Sequence, residues 1–264
     1  MSTISNLAFV HPEARLGKNV VVEPFAFIDA DVEIGEGCHI MSHASIIGGT
    51  RIGKNTKIYD GCVIGADPQD FRWKGEKGCC TIGNNVHVYQ HVIINRSIHE
   101  GASTTVGDNS YIMAQTHIGH DSKIGEYCVL GNGVKIAGDC AVGNYSVLSS
   151  SAVVHERCQI GEWALIKGGC RVNNNVPPFA IMAHNPISYY GVNAYIMRKG
   201  NFSEDLIDDI AKCYRHIYQC GTSLFNAMRR IQEDVTATPE RDKVLNFIRD
   251  HGMKIAGVNT DLTY

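Results

Sequence analysis

Aliphatic residues recur at every sixth position over most of this chain. The register opens with Val10, Leu16, Val22, Ile28 and Ile34, and it still holds at Ile160, Ile166 and Val172. Of its 28 positions, 25 are Ile, Leu or Val; the exceptions are Asp70, Glu76 and Glu100. A period of six matches neither the 3.6 of an α-helix nor the 2 of a single long strand. It fits short strands laid on flat faces with turns between them, each sending one aliphatic side chain inward. The expected fold is mainly β, a parallel β-helix of hexapeptide repeats stacked around one apolar column. Glycine follows the aliphatic residue in IGEG (34–37), IGKN (52–55), IGNN (82–85), IGEY (124–127) and IGEW (160–163). There it is expected to supply turn conformations that a Cβ disfavours.

The same register explains most of the ten cysteines. Cys38, Cys62, Cys80, Cys128, Cys140, Cys158 and Cys170 each lie four residues after a register position. Ala44, Ala152 and Ala164 fill the same slot, so it reads as a small interior site in which free Cys acts as a small hydrophobe. The spacing lacks the paired C-x-x-C clusters of zinc sites. Cys79, Cys213 and Cys220 fall outside the register.

The register breaks twice, near 67–81 (DPQDFRWKGEKGCCT) and near 95–105 (NRSIHEGASTT). Charge inside the prism is costly, so both segments are expected to leave it as loops, where binding groups concentrate on rigid scaffolds. Pro177 and Pro178 in VNNNVPPF are expected to end strand pairing. A polar connector follows, then helical signals. Ser203 caps a first helix carrying Leu206, Ile207, Ile210, Tyr214, Ile217 and Tyr218, and Gly221 stops it. A second helix carries Leu224, Phe225, Met228, Ile231 and Val235. Thr238-Pro239 opens a third that ends near Gly252. The domain reading is a β-helix over 1–185 and a helical unit over 186–264.

Bulk properties narrow the class of function. A formal net charge of -3 with no basic run argues against a nucleic-acid binder. No apolar run approaches the ~20 residues of a membrane span. The opening MSTISNLAFVHPEARLG lacks the basic and apolar regions of a secretory signal, so a cytoplasmic chain with reduced thiols is expected.

Chemistry points to HIGHD (117–121). His117 precedes the inward Ile118 and His120 follows it by two, so neither is forced into the core. An imidazole with a pKa near ~6.5 accepts a hydroxyl proton at neutral pH, and Asp121 or another carboxylate could hold its tautomer. From these residues alone, a surface histidine on a repeat face remains an open alternative. A histidine metal site between subunits is another, and HxxH is weak support for it.

Other segments join these: AFVHPEA (8–14), Ser42-His43, ADPQDFRWKGE (66–76), IAGDCAVG (136–143), VHERCQIG (154–161), NNVPPF (174–179) and NPISYYGVNAYIMRKGNFSE (185–204). Together they resemble the UDP-N-acetylglucosamine O-acyltransferase family of lipid A biosynthesis, a group of left-handed β-helix hexapeptide acyltransferases. The resemblance implies transfer of an R-3-hydroxyacyl chain from acyl carrier protein to the sugar 3-hydroxyl. It implies His120 as general base, Asp121 as its partner and the Gly138 N–H as oxyanion donor. It implies Asp70, Arg72, His117, His155 and Glu156 as sugar or phosphate contacts, with Asn193 and Lys199 near the nucleotide. Gly168 takes the position that limits acyl length, and a glycine there implies a long chain. A homotrimer with sites between neighbouring prisms is implied, and neither metal nor organic cofactor. Asn95 and Asp139 stand where the family pattern has histidine, Glu156 where it has glutamine, and Tyr195 where it has an acid. The alternatives are an amino-sugar or other nucleotide-sugar acceptor, or a non-catalytic paralogue.

Overall fold

A computed structural model describes residues 2–257. Strands of mostly two residues alternate with tight turns and collect into sheets of 11, 9 and 8 strands. Successive strands fall on successive sheets, so sheet neighbours lie one coil apart, as in Thr3↔Val21. The result is a left-handed parallel β-helix, triangular in section. Each strand turns one residue outward and the next inward. Ile28, Ile58, Ile94, Ile118 and Leu148 are thereby fully buried. Each such burial is worth about 1.5–3 kcal/mol.

The glycines after the aliphatic residues serve a different purpose from the one expected. Gly35, Gly53 and Gly83 do not adopt left-handed φ. A Cβ on Gly35 would lie 2.7 Å from the carbonyl carbon of Gly53 in the next coil, so what they permit is close stacking of coils. The left-handed residue comes two positions later, at Asn19, Phe25, Asp31, Gly37, His43 and onward. Stacking imposes it even on Tyr127 and Trp163.

The small-residue slot is likewise more than apolar filler. Ser110 and Ser146 occupy it fully buried, and their hydroxyls donate to the turn carbonyls of Gly125 (3.0 Å) and Gly161 (2.9 Å). The thiols of Cys38, Cys128 and Cys140 do the same toward Gly53 (2.8 Å), Gly143 (3.2 Å) and His155 (3.0 Å). Burial pushes the thiols of Cys62, Cys80, Cys128 and Cys140 up to about 12. An unfolded thiol ionises near ~8.5. The folded value is the higher one, so this stabilisation is complete below ~8.5 and is lost as pH rises toward about 12. We expect the melting temperature to fall steeply above pH ~9, and Cys→Ala at these four positions to flatten that fall. Melts followed by circular dichroism across the alkaline range check this. A wild-type profile as flat as the variant's would refute it.

Both insertions are whole multiples of the repeat. Ile52 pairs with Ile82 and Ile82 with Val106, so the first adds twelve residues to its coil and the second adds six. Asp70, Glu76 and Glu100 therefore sit outside the prism without disturbing the phase. The loops span 67–78 and 96–102, between Val63–Ala66 and Cys79–Ile82, and between Ile93–Asn95 and Ser103–Val106. Both leave the prism at the edge where the nine-stranded sheet turns into the eight-stranded one.

Pro177 and Pro178 do not end strand pairing. Val176 still bridges Ile160, and Ala180–Ala183 pairs in parallel with Leu165–Ile166. The prolines occupy a corner, where no ladder N–H is required. The connector expected to be irregular contains the strand Ser188–Val192, antiparallel to Ala180–Ala183. Then come α1 (Ala194–Lys199), α2 (Glu204–Tyr218), α3 (Leu224–Asp234) and α4 (Pro239–His251). Ser203 accepts from the Leu206 N–H at the start of α2. That helix ends at Tyr218, short of Gly221, and Val235 lies just past α3. Ile207, Ile210, Tyr214, Ile231 and Val244 form the buried interior here. Residues 258–264 of the expected helical unit lie outside the described residues. No helix among the described residues is long and apolar enough to cross a membrane.

Candidate active site

The edge that releases both loops also carries HIGHD one coil further on. His117 lies on the strand His117–Ile118 of the nine-stranded sheet, and His120 lies in the turn after it. Parallel pairing of His117 with Lys135, and of Lys135 with Val153, stacks His120, Gly138 and Glu156 along this edge. Asp121 and Asp139 hold the left-handed corner positions beside them, with φ of 59° and 60°.

His120 is almost wholly buried. Its Nδ1 lies 2.8 Å from Asp121 Oδ2, and its Nε2 lies 3.2 Å from Asp70 Oδ2. Asp70 arrives from the first loop and is gripped by Arg72, whose Nε and Nη2 donate to it at 3.0 and 2.7 Å. Those bonds hold the Asp70 carboxyl far below the usual carboxylate range. Arg72 Nη2 also stands 3.6 Å from Asp139 Oδ2. The second loop supports Asp121: the Ser97 hydroxyl donates to Oδ1, and the Ile98 N–H donates to Oδ2 at 3.1 Å. Burial raises the Asp121 carboxyl, but bonds from Ser97, His120 and Ile98 outweigh it and the net shift is downward. The Asp121 N–H is fixed on Thr104 Oγ1 at 2.8 Å.

Gly138 closes the other side of the imidazole. A Cβ there would collide with Nε2 and Cε1 of His120. Its N–H has no hydrogen-bond acceptor among the described residues. His117 Nε2 lies 2.7 Å from the side-chain oxygen of Asn95, whose amide donates to the Asp67 carbonyl at 2.6 Å. Burial, then Lys135, lowers the His117 pKa, so it is neutral at pH 7. The His120 imidazole, held by a fixed carboxylate beside a glycine whose N–H has no acceptor among the described residues, has the parts of a proton-transfer site.

Of the residues singled out in the sequence, Asp70, Arg72, His120, Asp121 and Gly138 converge, with His117 alongside. His155 and Glu156 are exposed one coil further on. Gly168 lies in the turn from the eleven-stranded to the nine-stranded sheet, on a different prism edge. Asn193 is buried at the start of α1, with its amide on the Trp163 carbonyl, and Lys199 ends that helix. The single chain does not bring these three to His120. Sequence reasoning missed Ser97, Ile98 and Thr104, and the unbroken phase across the second loop was the signal that it belongs to the scaffold.

His120, Asp121 and Asp139 present atoms within 4.8 Å of one another, a spacing that could hold a metal. The Arg72 guanidinium beside Asp139 opposes a cation there.

A left-handed prism with a carboxylate-held histidine at its edge defines a hexapeptide-repeat acyltransferase. Residues 103–138 match the bacterial transferase hexapeptide family, residues 4–100 the GMPPB C-terminal domain, and residues 175–256 domain 2 of UDP-N-acetylglucosamine O-acyltransferase. An acyl-[acyl-carrier-protein]–UDP-N-acetylglucosamine O-acyltransferase of Chlamydia pneumoniae is 43% identical over 94% of this chain and 88% of its own. One of Thermodesulfovibrio yellowstonii is 34% identical over 94% and 96%. The crystal structure of a UDP-N-acetylglucosamine acyltransferase from Bacteroides fragilis superposes with a TM-score of 0.93 at 39% identity, covering 95% of this chain and 98% of that one. The chain belongs to the acyl-[acyl-carrier-protein]–UDP-N-acetylglucosamine O-acyltransferase family.

Proposed function

We propose that this chain moves an R-3-hydroxyacyl group from acyl carrier protein to the 3-hydroxyl of UDP-N-acetylglucosamine, the first step of lipid A biosynthesis, with His120 as general base. The observation that carries this is His120 held on Asp121 at 2.8 Å and packed against Gly138, whose N–H has no acceptor among the described residues. With Nδ1–H given to Asp121, Nε2 of the neutral ring carries the lone pair. The acceptor hydroxyl takes the place that the Asp70 carboxylate occupies at Nε2. As its oxygen attacks the thioester carbonyl, its proton passes to Nε2. The oxyanion forms against the Gly138 N–H. Collapse breaks the C–S bond, and the Nε2 proton leaves with the thiol. No metal or organic cofactor enters this sequence.

Arg72, held on Asp70, is a fixed cation for the sugar diphosphate, and His117 and His155 supply further sugar or phosphate contacts. Glu156, exposed on the same edge, takes a hydroxyl of the sugar. Gly168, Asn193 and Lys199 lie away from His120, which supports a homotrimer in which a neighbouring copy supplies them. A glycine at 168 leaves room for a long acyl chain. We also read residues 1–185 as the catalytic prism and 186–264 as a helical unit, joined to it through the strand Ser188–Val192. The cytoplasm suits the chain, because reducing conditions keep the interior thiols as donors to the turn carbonyls.

Mass spectrometry of products from UDP-N-acetylglucosamine and a panel of 3-hydroxyacyl carrier proteins tests the reading. One monoacylated ester is expected, with long chains preferred. No ester from any donor would overturn the assignment.

A further inference from the structure

The second loop was expected to leave the prism as a loop where binding groups concentrate, with no role given to Ser97. Its Ser97 is fully buried and is clamped on every side. Its N–H donates to the Cys79 carbonyl at 3.1 Å, and its Oγ accepts from the His99 N–H at 3.0 Å. A Cβ on Gly78, at the end of the first loop, would run into the Ser97 carbonyl, so it is a glycine that lets the two loops pack this closely at the serine. One hydroxyl proton remains to be placed. Two acceptors compete for it: the neutral His99 carbonyl at 3.4 Å and the much nearer Asp121 carboxylate. The charged, closer acceptor wins.

We infer that Ser97 is a positioning residue for the reaction, fixing the Asp121 carboxylate so that its Oδ2 stays on Nδ1 of His120. Both oxygens of Asp121 are engaged, Oδ1 by Ser97 and Oδ2 by Ile98 and His120. The Ile98 N–H alone leaves rotation of the carboxylate plane free. The Ser97 hydroxyl, on the other oxygen, stops it. A fixed plane keeps one tautomer of His120, with the lone pair at Nε2. This rests on His120 as the base, and the test separates the two ideas.

Ser97→Ala is expected to lower kcat about ten- to a hundredfold, the effect of losing a hydrogen bond to a charged group, with KM for the sugar nucleotide little changed. Ser97→Cys refills the volume with a weak donor and should stay low. Recovery in Ser97→Cys would mean that volume, not donation, is what matters, and would overturn the inference. In an Asp121→Ala background, Ser97→Ala should cost less than about twofold more. An additive loss there would also overturn it. Crystal structures of the wild type and Ser97→Ala decide the point even if no acyl donor turns over. The inference expects the Asp121 plane to rotate off His120 Nδ1 in the variant, and an unmoved carboxylate sinks it. Wild-type inactivity with every donor would count against the proposed function alone.

Discussion

His120→Ala is expected to lower acyl transfer by about 10²–10⁴-fold, the usual worth of a positioned general base, while the chain keeps its fold and assembly. The fold should survive because the side chain leaves no unpaired charge behind it. Asp121 keeps its bonds from Ser97 and Ile98, and Asp70 keeps Arg72. His120 also stands in a turn rather than in the aliphatic column, so its removal opens no cavity among the buried isoleucines. The kinetic signature is a fall in kcat and kcat/KM together, since the proton moves only in the transition state. Steady-state kinetics of ester formation, set beside thermal melts of the same preparations, read both halves. Retention of more than about a tenth of wild-type kcat by a well-folded variant would remove His120 from the role.

The fold was almost entirely legible because the constraint that produces it repeats. A residue such as Ile118 sees the same neighbours as Ile94 and Ile136, so one physical rule is written many times along the chain. Departures could be read from the same rule: Asp70 and Glu100 broke the register and proved to lie outside the prism. What the period could not convey was the reason for each residue within a repeat. Gly35 looked like a turn former and is a spacer between coils. The Cys128 thiol looked like apolar filler and is a donor to a turn carbonyl.

The site was legible only where it stayed in phase. His120, Asp121 and Gly138 follow from the stacking of consecutive coils. Ser97 and Asp70 reach the same point through loops whose shape no repeat dictates. Asp139 stood out in the sequence as an unexplained acid. The structure gives it a partner in Arg72, which ties the first loop to the coil that carries Gly138. Asn95, the other position where the pattern has a histidine, is turned to a scaffold task between His117 and the Asp67 carbonyl.

Gly138→Ala should be nearly as damaging as loss of the base itself, with a fall in kcat/KM of about 10²-fold or more. Gly138 lies outside the left-handed region, so alanine brings no backbone strain. The nearest atoms to the new methyl are Nε2, Cε1 and Cδ2 of His120, with no neighbouring main chain among them. The ring can escape only by breaking its Nδ1 contact with Asp121, which Ser97, Ile98 and Thr104 hold in place. The methyl also fills the space beside the Gly138 N–H where the oxyanion would gather. Two comparisons make the result specific. Gly119→Ala, one coil earlier, would drive its methyl to 2.7 Å from the Ala137 carbonyl carbon, so that variant should lose melting temperature and yield. Gly138→Ala should melt close to wild type and fail in turnover. In the His120→Ala background the ring is gone, and the added methyl should cost only what it takes from the oxyanion donor, well below its effect alone. Wild-type kinetics in Gly138→Ala would mean the imidazole swings freely, and His120 would then lack the fixed geometry a general base requires.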